Sequence, residues 1–296
     1  FSHPTNRIKK NRVSHRNLAI IIQGPIIKKS NFTLETVNFY SKIYPGSQII
    51  LSSWKDDQDF IKKKIKPNKD IHILLNDLPK YKGEFNINLQ SISTVNAIKH
   101  AKKLKCKYVL KSRSDTRINF KNAPDYLINL LKFYKINKNL KTKQSRRIIS
   151  TNFTLRYRLY GISDLILFGT INDIFNYFNI ITTPQKEKDF VHNEKRKFFK
   201  DKNYYVEGRF CPERYFFCNY FTEQNIKLNW TVKDYITKIS QNFIIVNNEK
   251  LEIYWKKSNR ADNHFANIPA PEKDSLEFNF EEWLKLFFKY KKIKSL

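Results

Sequence analysis

The stretch Tyr108-Val109-Leu110-Lys111-Ser112-Arg113-Ser114-Asp115-Thr116-Arg117-Ile118 joins three apolar residues to a polar run in which one carboxylate, Asp115, is bracketed by Arg113 and Arg117. Apolar residues giving way abruptly to charge is the pattern of a buried strand whose carboxyl end reaches the surface. In open α/β sheets, ligands bind in the crevice outside such ends. Arginine forks match the oxygens of phosphate and carboxylate groups, and a carboxylate beside them offers an oxygen ligand to a hard cation. The chemistry indicated is recognition of a polyanion, with or without a metal. The same residues would also serve as an ion-pair network capping a strand.

The surrounding elements must place that strand end. Leu18-Ala19-Ile20-Ile21-Ile22, stopped by Gln23-Gly24-Pro25, predicts a buried parallel strand ending in a tight loop. Leu34, Val37 and Ile43, with Phe39 and Tyr40, have helical spacing up to Pro45-Gly46, a stop signal. Strands are expected over 48–52 and 71–75, the second ending at Asn76-Asp77. Ile92, Val95, Ile98, Ala101 and Leu104 give residues 88–104 a helix face that feeds the strand at 108–110. This alternation implies an α/β fold with a doubly wound, mostly parallel sheet. Its carboxyl ends carry Gln23-Gly24-Pro25, Ser52-Ser53-Trp54, Asn76-Asp77 and the Arg-Ser-Asp-Thr-Arg run. Each has a structural reading, as a turn, a strand end with a core Trp or an Asx turn. Together, polar termini along one edge favour a binding site.

The second half is less regular. Strands are expected over 147–152 and 165–169, with helices over 172–178 and 213–223. The charged stretch 185–203 reads as a loop or exposed helix over the site, or as solvated surface. Phe280, Trp283, Leu284, Phe287 and Ile293 share one face of a helix over 279–293 that opens with Glu281 and Glu282 and closes with lysines, as the helix dipole favours. That face suits packing on the body of the protein, and its lysine-rich flank also suits a membrane surface.

Composition bounds the function. At 296 residues, with 41% apolar and 15% aromatic side chains, the chain can bury a substantial core. Its 56 Lys and Arg against 27 Asp and Glu give +29, which concentrates anionic partners, although heavy use of Lys, Asn and Ile spreads part of that charge over the surface as codon bias. The basic residues are scattered and no nucleic-acid motif appears, so nucleic acid is not the expected partner. Cys106, Cys211 and Cys218 lack zinc or Cys-x-x-Cys spacing and read as reduced core thiols, a cytosolic habit. No apolar run is long enough to span a membrane. The chain starts at Phe1 and contains no Met, so residues upstream of Phe1 are expected.

The pattern resembles the WavE lipopolysaccharide-synthesis proteins, which look like GT-A-type glycosyltransferases. The matching stretches are Ile20-Ile21-Ile22-Gln23-Gly24-Pro25-Ile26 with Thr33-Leu34-Glu35-Thr36-Val37; Ile49-Ile50-Leu51-Ser52-Ser53-Trp54; Asn86-Ile87-Asn88-Leu89-Gln90 with Ser93-Thr94; 108–117; and Ser163-Asp164-Leu165-Ile166-Leu167-Phe168-Gly169 with Pro212-Glu213. The chain departs from the pattern twice: Leu89 stands where an Arg commonly precedes the Gln, and Asp115 is alone where many GT-A enzymes carry Asp-x-Asp. Residues 1–17, basic and without periodicity, read as an N-terminal arm, and the resemblance implies a GT-A-like domain over 18–278. That domain comprises a nucleotide-sugar-binding half at 18–120 and an irregular acceptor half at 121–278, and a basic amphipathic C-terminal helix follows over 279–296.

The resemblance also implies roles. Gln23, Gly24, Pro25, Ser52 and Trp54 would hold base and ribose, with Trp54 stacking and Asp77 accepting hydrogen bonds; Asn88 and Gln90 would join the donor site. Asp115 would ligate Mg²⁺ or Mn²⁺ across the phosphates, with His264 a weaker candidate ligand. Without a metal, Lys111, Arg113 and Arg117 would neutralise the leaving group. Glu213, in an apolar setting expected to lift its pKa, is the first candidate general base and Asp164 the second. The expected partners are a nucleotide-sugar donor, an anionic or lipid-linked glycan acceptor such as lipopolysaccharide core, O-antigen or capsule, and peripheral contact with an anionic membrane at its cytoplasmic face. Competing readings are transfer of a polyol phosphate from a cytidine nucleotide, a nucleic-acid or polyanion-binding protein, and an inactive scaffold.

Overall fold

The computed structural model describes residues 15–137, 140, 142–152, 160–186, 188, 211–256 and 278–292. In chain order the strands are β1 (Leu18–Gln23), β2 (Gln48–Trp54), β3 (Ile71–Asn76), β4 (Tyr108–Arg113), β5 (Thr116–Ile118), β6 (Ile148–Thr151), β7 (Leu167–Thr170), β8 (Phe243–Val246) and β9 (Ile253–Trp255). The α-helices are α1 (Phe32–Ile43), α2 (Gln58–Lys64), α3 (Ile87–Lys103), α4 (Ala123–Phe133), α5 (Ile171–Phe178), α6 (Pro212–Thr222), α7 (Val232–Asn242) and α8 (Phe280–Lys292).

Seven strands form one sheet in the order β3-β2-β1-β4-β7-β6-β8, and β5 pairs with β9 separately. β7 runs antiparallel to both its neighbours, whereas every other pairing in the large sheet is parallel. The doubly wound, mostly parallel sheet expected from the alternation of elements is therefore the one observed. β1 reads as an unbroken β-branched run because both faces of a central parallel strand are covered; all six of its residues are buried. It pairs with β2 on one side and β4 on the other, Ile20 lying opposite both Ile49 and Leu110. The chain thus turns one way after β1 and the other way after β3, which puts the switch point of the sheet between β1 and β4.

α3 lies against β1, β2, β3 and β4. It buries Val95, Ile98 and Ala101, as its periodicity predicts, together with the small polar residues Ser91, Ser93 and Thr94 that allow close approach to the strands. β4 extends through Lys111, Ser112 and Arg113, further than its apolar residues predict, because Lys111 and Ser112 are completely buried. α2 and the short strands β5, β8 and β9 went unpredicted, as did α4 and α7, although Pro124 in the first turn of α4 and the Thr231 cap with Asp234 at the start of α7 are helix-start signals.

α8 packs on the body of the protein. Trp283 has no exposed surface, and its indole N–H donates to the Phe243 carbonyl at 2.8 Å. Tyr134 meets the rings of Phe280, Trp283 and Phe287, and the Arg147 guanidinium lies 5.1 Å from the Phe287 ring centroid. The Trp283 face is therefore spent on the protein. Of the helix's apolar residues, Phe288 is exposed, as is Phe133 at the end of α4. Replacing Trp283 by Ala leaves a large void and uncovers Arg147; we expect a loss of about 3–5 kcal/mol in urea unfolding, and an unchanged midpoint would refute the packing role.

Candidate functional site

A cleft of about 660 Å³ opens outside the carboxyl ends of β1, β2 and β4, bordering the switch point. Its floor is built where β1 and β4 end. The Ser114 N–H donates to the Gln23 carbonyl at 2.8 Å, and the Gly24 N–H to the Ser52 carbonyl at 3.1 Å. Gly24 has φ +120°, and a Cβ there would stand 2.8 Å from Ser114 Oγ, so only glycine fits this crossing. Thr33 Oγ1, at the start of α1, donates to the Ser114 carbonyl at 2.7 Å. The Pro25-Ile26 turn is fixed by Asp57, which accepts from the Ile26 N–H at 3.1 Å and Ser53 Oγ at 2.7 Å.

Gln23, Gly24, Pro25 and Trp54 all line the cleft, with Arg113 and Asp115 beside them. Gln90 lines it from α3 and donates to Asp164 Oδ2 at 2.6 Å. Asp164, just ahead of β7, and Glu213, in the first turn of α6, complete the wall. Residues far apart in sequence are thus brought to one place. Lys111 sits behind that wall, fully buried; its ammonium donates to the Asp164 carbonyl and lies 5.2 Å from the Phe178 ring centroid. Burial pushes its pKa down to about 8, against the opposing pull of Asp164, Asp115 and Glu213. For Arg113, burial disfavours the charge, yet Asp115, Asp164 and Glu213 together hold its pKa above the ordinary value. The electrostatic centre is two cations facing three carboxylates. Glu213 therefore has Lys111 and Arg113 in its field, which corrects the purely apolar setting expected from the aromatic residues after it.

Other candidates are engaged elsewhere. Ser52 is buried, donating to the Ser93 carbonyl and accepting from Asn76. Asn88 bridges the β3–α3 loop to the segment after α5 by bonding Tyr81 and both main-chain groups of Thr182. Arg117 turns onto α1, donating to Thr36 Oγ1 and the Phe32 carbonyl. Asp77 is exposed and pairs with Lys55 at 2.7 Å. None of these four lines the cleft. His264 and most of the charged stretch 185–203 lie outside the described residues.

Sequence reasoning missed Leu78 and Phe85 of the β3–α3 loop, which form part of the rim together with Asn86, a residue of a matched stretch that was given no role. Phe85 and Asn86 both have left-handed backbone, at φ 51° and 64°. Gly83 just before them, in a lysine-rich loop, was the available signal. It also missed Trp255 on β9, which reaches Asp115 from 140 residues away.

The profile of the WavE lipopolysaccharide synthesis family matches residues 18–294, nearly the whole chain. The chain belongs to the WavE family. That description places it in lipopolysaccharide synthesis. No curated protein sequence matches it. Among solved structures it is similar to 4-diphosphocytidyl-2C-methyl-D-erythritol synthase from Anaerococcus prevotii, at 13% identity over 93% of this chain and 96% of that one, with a TM-score of 0.39. It is also similar to Rv0371c of Mycobacterium tuberculosis in complex with manganese, at 8% identity over 60% of this chain and 82% of that one, with a TM-score of 0.36. TM-scores this low leave both likenesses without weight for the chemistry.

Among the described residues, the donor set of this WavE chain does not fit a resident metal. The Asp115 oxygens accept from Arg113 Nε and NH2, each at 3.0 Å, and from Trp255 Nε1 at 3.0 Å. Asp164 is tied to Gln90, and among the described residues no group of three or more His, Cys, Asp or Glu side chains is arranged to hold a metal ion. The three cysteines are buried thiols outside any such group.

Lys111 supplies a pH test. Its pKa falls from 10.5 to about 8 on folding, so between those values the unfolded chain holds a proton that the folded protein has released. The cost of the buried charge is therefore full below pH 8 and is relieved as the pH rises towards 10.5. Urea unfolding of wild type and Lys111→Met across that range should show the wild type gaining relative to the variant as pH rises; parallel curves would refute this.

Proposed function

We propose that the chain is a GT-A-like glycosyltransferase that moves a sugar from a nucleotide-sugar donor to a bacterial-type surface glycan such as lipopolysaccharide core, O-antigen or capsule. The observation that carries this reading is the meeting of Trp54, Arg113, Asp164 and Glu213 in one cleft at the carboxyl edge of the sheet. An aromatic side chain at the cleft wall, a phosphate-matching fork and a pair of carboxylates are what such a transfer needs, and membership of the WavE family supports it.

In this reading Trp54 stacks on the nucleobase, while the Gln23 to Pro25 turn brings main-chain groups towards the ribose. The bond between the sugar's anomeric carbon and the donor phosphate oxygen breaks, the electron pair leaving with the nucleotide, and Arg113 stabilises the charge that develops on that phosphate. An acceptor hydroxyl forms the new bond to the anomeric carbon and gives its proton to a carboxylate. Glu213, which lines the cleft from the first turn of α6, is the first candidate and Asp164, which lines it from just ahead of β7, the second. Mg²⁺ or Mn²⁺ would arrive with the donor's phosphates rather than reside in the protein.

Work at the cytoplasmic face of an anionic membrane is part of the proposal. It is supported by the +29 charge and by the exposed Phe133 and Phe288. Among the described residues no helix is long and apolar enough to cross a membrane.

A thermal-shift screen against UDP, GDP, CMP, CDP and dTDP, with and without Mn²⁺, tests the donor site. A cognate nucleotide at a hundred times its dissociation constant should stabilise the protein by about 2.7 kcal/mol, and Trp54→Phe, which keeps an aromatic ring in a position that is largely buried, should shrink the shift relative to the variant's own ligand-free melting temperature. No shift with any nucleotide, but salt-sensitive shifts with unrelated polyanions, would overturn the reading in favour of charge-driven binding. Once the donor is found, Glu213→Gln should keep nucleotide affinity and lose about a hundredfold or more in turnover. Full turnover would remove Glu213 as the base and direct attention to Asp164.

A further inference from the structure

The carboxylate that a GT-A-like reading offers to a metal is committed to something else. Asp115 is 4% exposed. Its two oxygens take Nε and NH2 of Arg113 as a parallel pair, both at 3.0 Å, the geometry in which a carboxylate fixes a guanidinium in its plane. Trp255 Nε1 donates to Oδ2 at 3.0 Å, and Thr116 Oγ1 to Oδ1 at 3.3 Å. With about four acceptor positions on a carboxylate, these donors use its capacity. Turning Asp115 towards a cation would strip Arg113 of its partner at the edge of a buried region.

The backbone holds the same arrangement. β5 and β9 pair antiparallel with Thr116 opposite Trp255, and the Asp115 carbonyl accepts from the Lys256 N–H at 2.8 Å. β9 therefore fixes both the main chain and the side chain of Asp115, and the guanidinium carbon of Arg113 lies 5.8 Å from the centroid of the Trp255 ring. Arg113 keeps a quarter of its side-chain surface exposed and lines the cleft. Two of the five guanidinium N–H donors are given to Asp115, which leaves three for a ligand.

We infer that Asp115 and Trp255 are positioning residues that hold Arg113 as a phosphate-binding fork, and that Asp115 is not a metal ligand. The ligand class is the terminal or bridging phosphate of a nucleotide, and the inference rests on the transferase reading for the origin of that phosphate. It adds Trp255, which no motif indicated, and reverses the role expected of Asp115.

Binding of inorganic pyrophosphate and of the five nucleotides, measured by calorimetry in EDTA and again in Mn²⁺, tests this on wild type, Asp115→Asn, Trp255→Phe, Arg113→Lys and the Asp115→Asn/Arg113→Lys double variant. Asp115→Asn keeps size and shape, and melting temperatures identify any variant that fails to fold. Asp115→Asn should weaken pyrophosphate binding about tenfold, to the same extent in both buffers, and the double variant should bind no worse than Arg113→Lys alone, since residues acting through one another are not additive. Trp255→Phe, which keeps the ring and removes the indole N–H, should weaken binding in the same direction. Unchanged or tighter binding in Asp115→Asn, a loss confined to Mn²⁺, or additive losses in the double variant would each overturn the inference. If wild type binds a nucleotide but the losses are additive, the positioning role alone falls. If wild type binds neither pyrophosphate nor any nucleotide, the transferase reading falls with it.

Discussion

The hydrogen bond from the Ser114 N–H to the Gln23 carbonyl is the joint on which the cleft depends. Two parallel strands that end side by side would normally splay into separate loops. This bond, with Thr33 holding the other side of Ser114, keeps the ends of β1 and β4 together after the ladder stops. The turn that follows gives residue 24 a φ of +120° close against Ser114, a conformation that glycine adopts without strain. The same bond sets where Arg113 and Asp115 emerge, since each is one residue from Ser114. The floor and the charged wall are consequences of one backbone contact at the switch point of the sheet.

Charge within the cleft is arranged in depth. Lys111 lies behind the wall and gives its ammonium to the main-chain carbonyl of Asp164, so it holds the backbone that carries this carboxylate while itself fully buried. Arg113 stands in front, paired with Asp115 yet partly open. A buried cation without such partners would be strongly disfavoured. The carboxylates compensate the two cations, while the exposed lysines elsewhere supply the long-range field that draws anions towards the molecule.

How far the sequence could be read follows from the same physics. β1 and the α3 face were legible because burial on both faces of a strand, or on one side of a helix, leaves a periodic apolar trace. The extension of β4 was not, because Lys111 and Ser112 are buried polar residues, the first facing α5 and β7 and the second paired with Ile22 of β1. Strand-end polarity located the correct edge of the sheet but did not separate residues facing the cleft from those bonding inward. Ser52 and Asn88 have the same residue types as a ligand-binding set, and their partners prove to be Ser93, Tyr81 and Thr182. Trp255 was hidden for a different reason: its partner is set by the pairing of two three-residue strands, too short to leave a pattern.

The large sheet runs without a break from β3 through β4 to β8. The part that carries Trp54 and Arg113 and the part that carries Asp164 are therefore hydrogen-bonded into one slab through β4 and β7. Such a slab cannot open and shut like a pair of jaws. The β3–α3 loop, with its two consecutive left-handed residues, borders the cleft from outside that slab. A ligand entering this cleft would meet a base plate of fixed shape, with Leu78, Phe85 and Asn86 of the β3–α3 loop standing at its edge.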